Sequence, residues 1–167
     1  EPVEDILIKK LKLLEYRGYD SAGIAVKNST SLKVTKAVGE ISNLKAKVKP
    51  LNSAYLGIGN TRWATHGKPI TTNAHPHLST DKCWAVVHNG IIENYAEIKA
   101  SLTEKGCKFL SDTDTEVLAV LLSECYRECK NKEEALKQTV SRVTGSYAVA
   151  VLFADDTENI YVTRKGS

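Results

Sequence analysis

The chain predicts an α+β fold in which antiparallel sheets and helices form separate layers. Strand-like runs come in pairs joined by short, turn-rich connections, 21–27 with 32–38 and 147–153 with 160–163, so consecutive strands fold back on each other. The helical patterns fall in blocks around these pairs instead of alternating with single strands, which argues against parallel βαβ units. At 167 residues, with no internal repeat or low-complexity tract, one domain spanning 1–167 is the default. A chain of that length buries about two thirds of its unfolded surface.

Residues 2–16 place Val3, Ile6, Leu7, Leu11 and Leu14 at helical spacing. Pro2 and acids stand in the first turn, lysines follow, and Gly18 is the stop. The β-rich runs 21–27 and 32–38 flank Asn28-Ser29-Thr30-Ser31, which has the composition of a hairpin connection. A lysine-rich piece then ends at Pro50, and 55–58 predicts a strand that runs into Thr61-Arg62-Trp63-Ala64-Thr65-His66-Gly67. The continuous apolar run 83–87 suits a strand covered on both faces and delivers Asn89-Gly90 at its end. Helix is expected over 91–105 and a brief strand at 109–110. Thr113 with Glu116 forms a capping box opening an apolar helix through Val117, Val120, Leu121 and Leu122. A further helix over 132–143 leads through Gly145 to the closing pair of strands, turned by Asp155-Asp156.

Composition excludes several functions. Apolar residues make up 42% and charged residues 26%, as in an average folded domain and unlike disordered or fibrous chains. The net charge is only +3, and the lysines are scattered over the terminal helices without forming a block, so no nucleic-acid partner is expected. No apolar stretch is long enough to span a bilayer and no membrane role is expected. Cys83, Cys107, Cys125 and Cys129 lie far apart or on predicted helix, which fits a reducing, cytoplasmic setting. His75-Pro76-His77 lacks a third ligand at zinc-like spacing, and Gly57-Ile58-Gly59 lacks the third glycine of a dinucleotide loop, so neither metal nor cofactor is expected.

Chemistry-bearing residues concentrate between Thr61 and Gly90. Arg62 beside Trp63 suits a planar carboxylate, because a guanidinium presents a fixed fork for two parallel hydrogen bonds, although a lone arginine more often makes a surface ion pair. Asn89-Gly90 reads two ways. After a buried strand it can aim an amide and a backbone N–H at a developing oxyanion, but as a dipeptide it is also the commonest hairpin-turn signal. Asp114 can receive an ammonium group or merely cap its helix. His88 reads at least as well as a structural histidine orienting the loop as a catalytic one.

Five strings occur in order over nearly the whole chain: Tyr16-Arg17-Gly18-Tyr19-Asp20-Ser21-Ala22-Gly23, the Thr61 motif, Asn73-Ala74-His75-Pro76-His77, His88-Asn89-Gly90-Ile91-Ile92-Glu93-Asn94 and Thr113-Asp114-Thr115-Glu116. Together they resemble the glutaminase domains of the glutamine:fructose-6-phosphate aminotransferases, which are class II glutamine amidotransferases. The resemblance implies an N-terminal nucleophile fold, a four-layer αββα sandwich, in which an N-terminal cysteine attacks the side-chain amide of L-glutamine and its own α-amino group serves as base. It assigns Arg62 to the glutamine α-carboxylate and Asp114 to the α-ammonium, with Trp63, Thr65 and His66 completing the pocket. Asn89 and Gly90 would form the oxyanion hole, and Arg17 and Gly18 would support the nucleophile. The released ammonia would pass to fructose 6-phosphate in sugar-isomerase domains, making glucosamine 6-phosphate, and the full-length protein would be a homo-oligomer.

The chain departs from that pattern in two respects. It starts at Glu1 without a Cys-Gly-Ile string and none of its cysteines matches the nucleophile, so it reads as a segment incomplete at both ends that would not hydrolyse glutamine by itself. Asn60 stands where the family usually has histidine. The alternative reading is a non-catalytic glutamine-binding or assembly module of the same fold.

Overall fold

A computed structural model of the chain describes residues 1–64 and 67–166. Among the described residues five α-helices and seven strands follow in the order α1 (Val3–Leu14), β1 (Ser21–Lys27), β2 (Leu32–Val38), α2 (Ile41–Lys47), β3 (Leu56–Arg62), β4 (His77–Leu78), β5 (Trp84–Ile92), α3 (Tyr95–Glu104), α4 (Asp114–Cys129), α5 (Lys132–Ser141), β6 (Gly145–Phe153) and β7 (Tyr161–Lys165). The strands make two antiparallel sheets, one ordered β2-β1-β3 and the other β4-β5-β6-β7.

Side-chain alternation along the strands creates four layers. On β1, Ile24 and Val26 face α1 and α2, meeting Ile8, Leu11, Ile41 and Leu44, while Ala25 faces the second sheet. On β5, Trp84 and Val86 join Val117, Leu121 and Leu122 of α4, while Ala85 and Val87 turn inward. The inward set, with Ile58 of β3 and Leu152 of β6, is a small apolar layer between the sheets. The result is helices, sheet, sheet, helices, as the resemblance implies. Fully buried Lys27 adds a polar tie between the sheets, donating from its Nζ to the carbonyl oxygens of Ala154, at 2.8 Å, and Asp156.

Most predicted elements form, and the differences have physical causes. The lysine-rich piece carries a short helix, α2, which buries Ile41 and Leu44 and whose first amide, Ile41 N–H, donates to the Glu15 carboxylate at 2.7 Å. β3 does not stop at Ile58 but continues to Arg62, because its ladder with β1 runs unbroken from Lys27↔Leu56 to Ser21↔Arg62. β5 likewise continues through Asn89 and Gly90 to Ile92 on a nine-residue ladder with β6, so α3 begins only at Tyr95. Residues 109–110 form no strand; the Leu110 and Ser111 amides donate instead to the Glu116 carboxylate, at 2.8 and 2.6 Å. The capping box is therefore half formed. Thr113 Oγ1 accepts from Glu116 N–H at 3.2 Å, while the Glu116 side chain serves the preceding loop.

Candidate functional site

Where the two sheets meet, a cleft of about 360 Å³ opens between the end of β3, the second half of β5 and the start of α4. It is lined by Arg17, Asn60, Arg62, Trp63, Asn89, Gly90 and Asp114, together with Leu14, Thr61, His75, His88 and Ile91. Six of the nine residues that the resemblance assigns to the site, Arg17, Arg62, Trp63, Asn89, Gly90 and Asp114, thus share one cavity. Gly18 stands just behind it, and Thr65 and His66 lie outside the described residues.

Arg62 is the last residue of β3 and is buried, with its guanidinium donating to the carbonyl oxygens of Gly67 at 3.2 Å and Lys68 at 3.4 Å. Burial pulls its pKa down, opposed by the nearby carboxylates of Asp20 and Asp114, and a guanidinium so far above neutrality stays charged. The loop that holds it is itself pinned. Fully buried Asn73 donates to Lys68 O at 3.0 Å and accepts from Asp112 N–H at 2.9 Å. The next loop residues are fastened by Asp20, whose carboxylate accepts from Ala64 N–H at 2.6 Å and whose own N–H donates to Arg62 O. Trp63, largely exposed, sets its ring edge-to-face against Tyr19 at 5.6 Å on the rim. Gly18 explains how α1 and its terminal 3₁₀ turn, Glu15–Arg17, close on β3: a Cβ there would lie 2.8 Å from the Arg62 carbonyl carbon.

Asn89-Gly90 is not a hairpin turn. Both residues sit within the β5–β6 ladder, opposite Ala148 and Tyr147. Gly90 has φ of +121°, and a Cβ would lie 2.1 Å from Ser146 O, so only glycine fits this backbone conformation and close approach. The Asn89 side chain lines the cleft, where its Oδ1 accepts from Asn60 Nδ2 at 2.9 Å across the gap between the sheets.

Asp114 enters from the third side at the first turn of α4, 4% exposed. It does not cap its helix, a task taken by Thr113; its Oδ2 accepts from Ile92 N–H at 3.1 Å, joining α4 to β5. Thr115 beside it is shared by two imidazoles, His88 Nδ1 at 2.9 Å and His75 Nε2 at 3.1 Å, and Thr113 Oγ1 meets His77 Nε2 at 3.0 Å. Burial pushes His75 down to about 3, with His88, Arg62 and Lys36 adding to the effect, and pushes His77 well below its ordinary value. These two imidazoles are neutral at pH 7 and act as packed hydrogen-bonding props. Among the described residues no group of three or more His, Cys, Asp or Glu could hold a metal ion, and no cysteine lines the cleft.

The arrangement offers a buried cation, a buried carboxylate and a cluster of amides around one small cavity. That matches a zwitterion with a polar side chain. Sequence reasoning did not find Asn60, Asn73 or Thr115 as site-building residues, because each acts through a partner 27 to 40 positions away; only the resemblance drew attention to Asn60.

The family model described as "Glutamine amidotransferase domain" matches residues 61–166. The chain is 50% identical to a glutamine--fructose-6-phosphate aminotransferase (isomerizing) of Pyrococcus horikoshii over 98% of its length and 27% of that protein. It is 53% identical to the same-named protein of Thermus thermophilus over 92% of this chain and 25% of that one. It thus spans about a quarter of the length of the curated relatives it matches. Among solved structures, a glutamine phosphoribosylpyrophosphate amidotransferase from B. subtilis superposes with a TM-score of 0.77 at 28% identity, covering 92% of this chain and 33% of that one. No described helix is long and apolar enough to cross a membrane. With the family model spanning more than half of its residues, the chain belongs to the glutamine amidotransferase domain family.

Proposed function

We propose that this domain is the glutaminase part of a glutamine:fructose-6-phosphate aminotransferase, releasing ammonia from L-glutamine for glucosamine 6-phosphate synthesis elsewhere in a longer polypeptide. The observation that carries the reading is the convergence of Arg62, Asp114, Asn89 and Gly90 on one cleft. Identity at about half of the aligned positions to aminotransferases so named supports the choice of acceptor.

In this reading Arg62 holds the α-carboxylate of glutamine with its fork, and Asp114 attracts the α-ammonium. The carboxamide then lies toward β5. A cysteine thiolate supplied by the N-terminus of the whole protein attacks the amide carbon: the C–S bond forms and the carbonyl electron pair moves onto oxygen. The Asn89 NH2 and the Gly90 N–H stabilise that oxyanion. Its collapse expels ammonia, which takes the proton that the free α-amino group had accepted from the thiol, and water hydrolyses the thioester to glutamate. Arg17 at the mouth, with Gly18 behind it, supports the strand end that carries the nucleophile. Trp63 forms part of the pocket wall, and the resemblance assigns the same part to Thr65 and His66, which lie outside the described residues.

The test is steady-state glutamine hydrolysis by the full-length protein carrying Asn89→Ala. The expected result is a fall in kcat of about 10²- to 10³-fold with KM nearly unchanged, the magnitude of losing one oxyanion donor. A defect confined to KM would remove Asn89 from that role. A full-length parent that binds glutamine without turning it over would favour the non-catalytic module.

A further inference from the structure

We propose that Asn60 is a positioning residue for the oxyanion site, holding the Asn89 carboxamide so that its NH2 end is turned to the reacting oxygen; the inference rests on the glutaminase reading above. An asparagine amide has two ends of nearly equal shape and opposite hydrogen-bonding sense, and only the NH2 end can stabilise an oxyanion. Something has to choose between them. In the structure that choice is made across the gap between the sheets, where Asn60 Nδ2 donates to Asn89 Oδ1 at 2.9 Å.

The backbone fixes both partners. Asn60 lies in β3 opposite Gly23 on the central strand, and Asn89 lies in β5 opposite Ala148. Asn60 is only 5% exposed, so its side chain has little room to take another direction. If the Asn89 amide reversed while Asn60 kept its own sense, two NH2 groups would face each other in a half-buried place, and the loss of that bond disfavours this reversed form by about ten- to a hundredfold. The bond has a second effect. A donor on the amide oxygen draws electron density toward it and makes the NH2 on the other end a stronger donor.

The other end of Asn60, its Oδ1, is buried and has no hydrogen-bond partner among the described residues, so the contact with Asn89 is the one that engages this amide.

The experiment is glutamine hydrolysis by the full-length protein with Asn60→Asp, Asn60→Ala and Asn60→His, with kcat and KM resolved and thermal midpoints recorded. Asn60→Asp keeps the shape and replaces the donor by an acceptor, which turns the Asn89 NH2 away from the substrate; kcat is expected to fall about 10²- to 10³-fold with KM within threefold. Asn60→Ala leaves Asn89 unbiased and is expected to lose about tenfold, and Asn60→His, which restores an N–H donor, to recover to within about threefold of the parent. The order Asp below Ala below His is the signature, since a packing role would make the near-isosteric Asp the mildest change. An Asp variant with kcat within threefold of the parent, an Ala variant at least as impaired as Asp, or a change in KM alone overturns the proposal. If the Asp variant fails to fold, the Ala and His pair decides, and equal impairment of the two overturns it. A parent with no glutaminase activity sinks the functional reading and this inference together, whereas an active parent with an indifferent Asn60→Asp sinks only the role of Asn60.

Discussion

Arg62→Ala in the full-length protein separates ligand recognition from fold at the centre of the site. Removing one member of a desolvated, hydrogen-bonded charge pair costs about 2 to 5 kcal/mol of ligand or transition-state binding. At 1.36 kcal/mol per tenfold, kcat/KM for glutamine should fall by roughly 30- to 5,000-fold. The structural loss is smaller. The two bonds Arg62 makes to Gly67 and Lys68 are long, 3.2 and 3.4 Å, and Lys68 O keeps its bond from Asn73. Losing these two bonds is worth about 1 to 2 kcal/mol, to which the lost attraction to Asp20 and Asp114 adds. For a domain of this size that is a shift of roughly 2 to 8 °C in the thermal midpoint. Glutamate formation measured against glutamine concentration, with a thermal scan of the same preparation, reads both quantities. A kcat/KM within threefold of the parent would refute the carboxylate assignment, and a midpoint lowered by far more than this would show that Arg62 serves the fold first.

Asp114→Asn should keep an acceptor for Ile92 N–H yet lose the charge, so KM for glutamine is expected to rise about tenfold or more with a smaller change in kcat; an unchanged KM would remove Asp114 from ammonium binding. Gly90→Ala forces a Cβ to within 2.1 Å of Ser146 O at a φ of +121°, and should destabilise the domain by about 3 kcal/mol or more, seen as a lowered thermal midpoint. Leu122→Ala, at a side chain 1% exposed in the α4 core, should cost about 2 to 5 kcal/mol without altering KM in the fraction that remains folded. Stability should also fall with acid. His75 has its pKa pushed from an unfolded value near 6.5 to about 3, so between these values the unfolded chain binds a proton that the folded one does not. Stability is fully present above pH 6.5 and lost as pH falls toward 3, by about 2 kcal/mol at pH 5 from this residue, with His77 acting in the same direction. Denaturant midpoints of parent and His75→Gln at pH 8 and pH 5 check this, and an identical pH dependence in the two proteins would contradict it.

Local signals were legible wherever the element's neighbours agree with its own pattern. β1 and β2 are found at their predicted bounds because the turn residues between them and the apolar run over 21–27 act within one hairpin. Asn89-Gly90 shows the opposite case. As a dipeptide it signals a turn, but the ladder with β6, some sixty residues later, carries the strand through it, and the glycine is used for a positive φ and a close approach. Phe109-Leu110 has strand composition and no strand beside it, so β-propensity alone leaves it irregular. At the site, Arg62, Asn89 and Asp114 were legible as candidates, each with a commonplace structural reading beside the chemical one, and the resemblance weighed between the two. What each one touches was not, since Asn73 reaching Lys68 and Asp112, or Thr115 joining His75 to His88, is a fact of packing.

The cleft is therefore a property of sheet pairing more than of any one motif. β3 brings Arg62 and Asn60 from one sheet; β5 brings Asn89 and Gly90 from the other; α4, packed on the outer face of the second sheet, brings Asp114 around its edge. In the apolar layer that joins the sheets, Ala25 of one sheet and Ala85 of the other sit among Ile58, Val87 and Leu152, and small side chains there leave room for close spacing of the sheets. That spacing is what lets Asn60 reach Asn89 at 2.9 Å. Enlarging the layer, as in Ala85→Leu, should push the sheets apart and weaken that bond before it unfolds the domain. The expected signature is a loss in kcat that exceeds the change in KM, with a thermal midpoint lowered by only a few degrees. An Ala85→Leu protein that loses stability while each folded molecule keeps the parent's kcat would show that the site tolerates the displacement, and the link from sheet spacing to oxyanion geometry would be broken.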